Sequence, residues 1–295
     1  MARPLSIADS PRCSPDGYFS SSDLAPVDRR PSLTSILQSL PAFAGYLTYR
    51  SAAKNFSRFD EARHIRERVY CIGSGPSLDE AALEDFEDST VFLLNSAVDI
   101  QARIRAGNML VWMFQDTEAI LSTYSRVPTA MTKIVSVHHY GEAWKILKII
   151  QAADSFILPR PVFREKYPTR GDPASSRLYL RPRLAGFDGE PLVTDPLSRR
   201  CIYPVSVMLL AIAVALRIAI REIHLIGFDM GYGPTDSSSN YSIAVANNAP
   251  TAPSRFPLQH IERYLLAFRQ AAEMRSVQIY NHSPYAPERI LARRE

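Results

Sequence analysis

Seven short apolar runs, each of strand length, punctuate the chain between residues 69 and 281: "VYCI", "TVFLLNS", "MLVWMFQD", "KIVSVHH", "SFILP", "EIHLIGFDM" and "VQIYN". They are continuous rather than alternating, which is the pattern of strands buried on both faces. Segments of helical or turn character separate most of them, so the strands pair in parallel through crossover connections. The fold class that follows is α/β: a single doubly wound, mainly parallel, Rossmann-like sheet. In such a sheet ligands sit beyond the carboxyl ends of the strands.

The rest of the chain is read as additions to that core. Residues 1–31, rich in Ser, Pro, Asp and Arg, hold no period and read as a tail that orders only on a formed surface. Residues 32–66 read as a helical N-terminal extension, with Leu33, Ile36, Leu37 and Leu40 at helix spacing. The α/β domain occupies 67–295. Within it, 159–200 reads as a long irregular insertion and 233–256 as a polar loop, two lid-like segments of the kind that carry function. Ser77 to Phe86 reads as a helix, as do "GEAWKILKIIQAA", "YPVSVMLLAIAVAL" and "QHIERYLLAFRQAAEMRS".

Several function classes fall away. The formal charge of +4 is modest, the basic residues are scattered and no nucleic-acid motif accompanies them. Three cysteines without a CxxC pair argue against both a disulfide framework and a zinc site. No secretory leader is evident, and a cytoplasmic protein fits. The apolar stretch 202–220 approaches the ~20 residues of a bilayer span but contains Pro204 and Arg217, so it is expected to be a buried helix. The C-terminal "ILARRE" reads either as a frayed end or as a peripheral contact with the inner face of the membrane.

Chemistry is sought just after the strands. The run "CIGSGPSLDE" places Gly73, Ser74, Gly75, Pro76 and Ser77 between the first strand and the next helix. Such a turn can aim backbone N–H groups at an anion, or it can be a plain turn with Ser77 as helix cap. It is neither a Walker loop nor a full dinucleotide fingerprint, because Leu78 stands at the third glycine. Asn95, Gln115, Asp116, His138, His139, Asp229 and Tyr232 occupy equivalent strand-end positions. His260 opens an amphipathic helix and is read either as a surface histidine or as a proton acceptor near neutral pH. Tyr232 and Tyr241 flank a Ser-rich loop and can donate phenolic hydrogen bonds.

The order "VYCIGSGPSLDE", "VFLLNS", "LLAIAVAL", "EIHLIGFDM", then a Tyr-bearing loop and a histidine before a helix, resembles the bacterial family-42 sialyltransferases, which use CMP-sialic acid. The likeness covers roughly Val69 to Pro287 and implies a GT-A-variant fold. It implies that Gly73, Ser74, Gly75, Pro76, Ser77, Asn95, Gln115, Asp116, Ser206 and Asp229 contact a CMP-sugar donor. It further implies that Tyr232 and Tyr241 stabilise the departing phosphate and that His260 is the general base of an inverting, metal-free transfer to a glycan hydroxyl. The donor itself is the substrate and no cofactor is expected. Cell-surface polysaccharide or lipooligosaccharide synthesis would be the setting, and a homo-oligomer is compatible with it. The family usually has Asn where this chain has Ser74, and usually Asn near Gln115, which leaves Kdo open as the donor sugar. Other readings of the same turn are a flagellin-modifying or pterin diphosphokinase-like protein, the latter with Asp116 and Asp229 on Mg²⁺, and a non-catalytic nucleotide-binding scaffold.

Overall fold

The structure, a computed structural model, describes residues 33–53, 59–115, 117–136, 143–157, 161–166, 177–182, 193, 206–229, 258–284 and 291. Seven strands form one parallel sheet: β1 (Arg66–Ile72), β2 (Thr90–Leu94), β3 (Met109–Phe114), β4 (Thr132–Ser136), β5 (Ser155–Ile157), β8 (Ala219–Ile226) and β9 (Gln278–Asn281). Their spatial order is β5-β4-β3-β2-β1-β8-β9, and every neighbouring pair is parallel. The chain therefore steps outward from β1 to β5 and then returns to the other side of β1. That reversal makes the β1/β8 boundary the topological switch point, where an open α/β sheet leaves a crevice.

Period-two side-chain placement divides the core. Val69 and Cys71 of β1, Phe92 and Leu94 of β2, and Val111 and Met113 of β3 point into one layer. There they meet α5 (Val207–Ile218) and α6 (Leu258–Glu273). Tyr70, Ile72, Val91, Leu93, Trp112 and Phe114 point into the other layer, with α3 (Thr117–Thr123), α4 (Ala143–Gln151) and part of α1 (Leu33–Ala53). Both faces are covered, which is why the strands read as unbroken apolar runs.

The apolar stretch around residues 207–218 is α5, and it is buried on nearly every side by the sheet, by α6 and by the short α2 (Glu61–His64). Its Leu, Ile, Val and Met side chains each stabilise the fold by ~1.5–3 kcal/mol on leaving water. Arg217 escapes that burial at the last turn, where its guanidinium donates to both carboxylate oxygens of Glu61 at 2.9 and 2.7 Å. No helix among the described residues is long and apolar enough to cross a membrane.

Three expectations change. Ser77 to Phe86 is not an α-helix: two 3₁₀ turns, Pro76–Glu80 and Leu83–Asp85, take its place, because Asp229 and the Gly75 carbonyl organise the first turn from outside. Within 159–200, β6 (Pro161–Lys166) and β7 (Arg177–Pro182) form an antiparallel pair, with register from Pro161↔Pro182 to Lys166↔Arg177. A ribbon only six residues long, closed by prolines and dense in arginine, carries too little apolar pattern to stand out in sequence. The third change is Leu291 of "ILARRE", which is 3% exposed and belongs to the α5/α6 core layer. Its apolar side chain packs on the protein, so the end is not frayed at this residue.

Candidate functional site at the carboxyl edge of the sheet

The two glycine turns that follow β1 and β8 interlock. Gly73 N–H donates to Ile226 O at 2.8 Å and Gly75 N–H to Gly227 O at 2.9 Å. Ser77 N–H donates to Asp229 Oδ2 at 2.9 Å. A Cβ on Gly75 would lie 2.5 Å from that carboxylate oxygen and 2.7 Å from Gly227 O, so only glycine lets the strands' ends come this close. Gly227 also adopts φ +64°, the left-handed region. The sequence runs "GSGPS" and "GFD" are thus two halves of one junction.

This junction corrects the reading of the turn as a cradle of backbone amides. The N–H groups of Gly73, Gly75 and Ser77 are used inside the protein, and the anion held at the first 3₁₀ turn is the Asp229 carboxylate. Ser77 is not the helix cap either: the N-cap position of that turn is Gly75, which has no side chain, and Ser77 lies inside the turn. What the turn leaves over is hydroxyl: Ser74 is half-buried, and Ser77 Oγ is buried without a partner.

Other strand ends repeat that feature. Gln115 follows β3 and its Nε2 is buried without a partner; Ser136 ends β4 and its Oγ is likewise unpaired; Asp229 keeps Oδ1 unpaired while Oδ2 holds the Ser77 amide. These four residues are at most 5% exposed. Leaving a buried polar group unpaired costs ~1–3 kcal/mol, so a cluster of them at one edge of a sheet marks a place built to receive polar atoms.

Asn95 holds this edge in shape. It follows β2 at φ +50°, its Oδ1 accepts Gln115 N–H at 3.3 Å, and its carbonyl accepts Trp112 Nε1–H at 2.9 Å. Its left-handed backbone turns the chain sharply into the 3₁₀ segment Asn95–Arg103. Ser206 is the N-cap of α5, with Oγ accepting Leu209 N–H at 3.2 Å. Met208 Cε lies 3.2 Å from the position of a Cβ on Gly73, so the start of α5 abuts the same junction.

Gly73, Ser74, Gly75, Pro76, Ser77, Asn95, Gln115, Ser206 and Asp229 are therefore brought to one edge. His260 lies in the first turn of α6, and its side chain is outside the described set. Asp116, His138, His139, Tyr232 and Tyr241 lie outside the described residues.

Sequence reasoning missed two features. Ser136 is the last residue of β4, and its signal was a hydroxyl ending an apolar run. The second is a ring stack across β1, β8 and β9: Phe86 on Tyr70 at 3.8 Å, Tyr70 on His224 at 4.7 Å, and His224 on Tyr280 at 5.4 Å. His224 bridges Glu222 Oε2 at 3.1 Å and His282 Nε2 at 2.9 Å. A cavity of about 420 Å³ lies over it, lined by Arg68, Tyr70, Ser77, Phe86, His224 and His282 among others. His224 lies within "EIHLIGFDM" but His282 lies 58 positions on, after β9, so only the pairing of β8 with β9 brings the two together.

No protein-family profile matches the sequence, and no curated protein matches it. Among solved structures, the monofunctional alpha-2,3-sialyltransferase Cst-I from Campylobacter jejuni is similar at 11% identity and TM-score 0.45, over 81% of this chain and 83% of that one. The sialyltransferase CstII from the same organism, in complex with the substrate analogue cytidine-5'-monophosphate, is similar at 10% identity and TM-score 0.40, over 78% and 85%. A CstII complex with trisaccharide acceptor and CMP gives 11%, 0.39, 77% and 85%. Likeness at this level assigns neither a family nor an activity to the chain.

Proposed function

We propose that the protein is a glycosyltransferase that moves a 2-keto sugar acid, sialic acid or Kdo, from its CMP ester to a glycan hydroxyl. One observation carries the reading: Ser77 Oγ, Gln115 Nε2, Ser136 Oγ and Asp229 Oδ1 are buried and unpartnered along the carboxyl edge, with Ser77 and Asp229 at the switch point where α/β sheets take nucleotides. Two of the four belong to the Gly-Pro-Ser-Leu and Gly-Phe-Asp turns on which the sialyltransferase resemblance rests.

In this reading Ser74 and Ser77, with Asn95, Gln115 and Asp229, face the donor, and the glycines Gly73 and Gly75 and Pro76 shape the wall. Asp116 and Ser206 complete it from the β3 and α5 sides. CMP is the leaving group as the bond between the sugar's anomeric carbon and the phosphate oxygen breaks; the charge growing on its single phosphate can be stabilised by neutral hydroxyls without a metal, and Tyr232 and Tyr241 supply them. His260, at the start of α6, takes the proton of the acceptor hydroxyl as it attacks through an oxocarbenium-like state. Direct displacement inverts the anomeric centre. Any role in lipooligosaccharide or capsule synthesis follows from the acceptor.

The test is a thermal-shift panel on the full chain with CMP, UMP and GMP, then CMP-sialic acid and CMP-Kdo. CMP should raise the melting temperature more than UMP or GMP, and one CMP-sugar should exceed CMP. Equal shifts for all three nucleotides, or none, overturn the donor assignment. With the donor known, turnover that persists in EDTA and falls by orders of magnitude in His260→Ala supports the roles given; loss of turnover in EDTA points instead to Mg²⁺ at Asp116 and Asp229.

A further inference from the structure

Helix α1 has apolar side chains on two faces, and among the described residues only one of them packs against the core. Gly45 and Tyr49 are buried, Ala42 and Tyr46 are partly buried on the core, and the helix rests against α4 and β7. On the opposite face Leu37, Leu40, Phe43 and Leu47 project outward, from 42% to 63% exposed. Their spacing of three, three and four places them in one stripe along more than two helical turns. Isolated exposed leucines are ordinary on a protein surface, but a continuous stripe of four large apolar side chains is a surface that covers something or is covered.

Charge identifies what covers it. From Arg29 to Phe59 the sequence has no Asp or Glu, and it carries Arg29 and Arg30 before the helix and Arg50, Lys54 and Arg58 at and after its end. Elsewhere acids are frequent, with 30 Asp and Glu against 34 Lys and Arg in the whole chain, so an acid-free stretch bracketed by cations is a local departure. An apolar stripe flanked at both ends by cations matches the interface of an anionic bilayer, where apolar side chains enter the acyl boundary and basic ones meet headgroups. A protein partner needs no such one-sided charge.

We infer that the outer face of α1 docks this protein on anionic lipid, lying in the interface rather than crossing it. The stripe is separate from the carboxyl-edge site and independent of the activity proposed for it.

The experiment is co-sedimentation of the full-length protein with vesicles of phosphatidylcholine alone and of phosphatidylcholine with phosphatidylglycerol, at low and high salt. Binding to the anionic vesicles is expected, weakened by salt as screening shortens the reach of the cations. The double variant Leu40→Glu with Leu47→Glu should lose at least about tenfold in partitioning, since two leucines no longer leave water. If that variant melts below the wild type, Leu40→Ser with Leu47→Ser is the second test, with the same loss expected. Equal binding to neutral vesicles, no binding at low salt, or unchanged binding in folded variants overturns the inference. A wild-type dimer that these variants convert to monomer, with no vesicle binding by either, overturns it in favour of self-association.

Discussion

The carboxylate of Asp229 accepts the backbone N–H of Ser77 at 2.9 Å, across 152 positions of sequence. One buried side chain after β8 thereby organises the turn after β1, at the point where the sheet changes direction. Asp229→Ala should cost ~1.5–3 kcal/mol, the range for a hydrogen bond to a charged group, read as a shift in urea midpoint with unchanged slope. Asp229→Asn keeps an acceptor oxygen and should lose less. An Ala variant as stable as the wild type would show that the junction does not depend on this bond.

Gly75→Ala tests the same junction sterically. Its new methyl would sit 2.5 Å from Asp229 Oδ2 and 2.7 Å from the backbone oxygen of Gly227, which cannot swing aside as a long side chain would. A loss of ~1–3 kcal/mol is expected for such overpacking. Because the methyl pushes on Asp229, combining it with Asp229→Ala should be less than additive, and a double-mutant cycle measures the coupling.

The unpartnered atoms give a prediction of opposite sign. Ser136→Ala removes a buried hydroxyl that has no partner, so the free protein should be unchanged or slightly stabilised, while the CMP-induced rise in melting temperature should shrink. Ser77→Ala should behave alike. Destabilisation of the free protein by more than ~1 kcal/mol would mean that these hydroxyls serve the fold instead of a ligand.

His64 sets a pH dependence. Burial is the main cause that lowers its pKa, outweighing the Asp60 carbonyl, which its Nδ1 meets at 2.8 Å. The unfolded chain then binds a proton at a higher pH than the folded chain does. Stability is therefore full above the unfolded value of 6.5 and declines as pH falls below it, because protonation favours the unfolded state. His64→Phe should flatten the slope of unfolding free energy between about pH 7 and pH 5. An unaltered slope would place the titrating group elsewhere.

Cys71 is fully buried in β1, and burial pushes its thiol well above the ordinary range. Alkylation of the native protein at pH 8 should leave Cys71 unmodified by peptide mapping and modify it once denaturant is added. Prompt labelling without denaturant would contradict the packing of the central strand.

The strands were legible because burial on both faces writes continuous apolar runs, and "TVFLLNS" and "MLVWMFQD" could be little else. The 3₁₀ turns after β1 were not, since Leu78 and Leu83 suit a helix and nothing nearby announces Asp229. Nor was the pair β6–β7, whose prolines and arginines break the pattern that two-residue alternation needs. Within the site, Gly73, Ser77, Asn95, Gln115 and Asp229 were visible as polar or glycine residues ending apolar runs. The amide partners of Gly75 and Ser77 were invisible, because they come from the end of the neighbouring strand β8, 152 positions away in sequence for Ser77.

Sequence alone determined the α/β class and the approximate place of each strand of the parallel sheet, since burial on both faces is written locally as a continuous apolar run. Tertiary structure decided which strand ends are neighbours, that the anion at the Gly75–Ser77 turn is the protein's own Asp229, and which polar atoms stay unpaired. Those outcomes depend on strand order, and strand order is fixed by how α1, α4, α5 and α6 cover the two faces of the sheet, through packing between segments that no local pattern records.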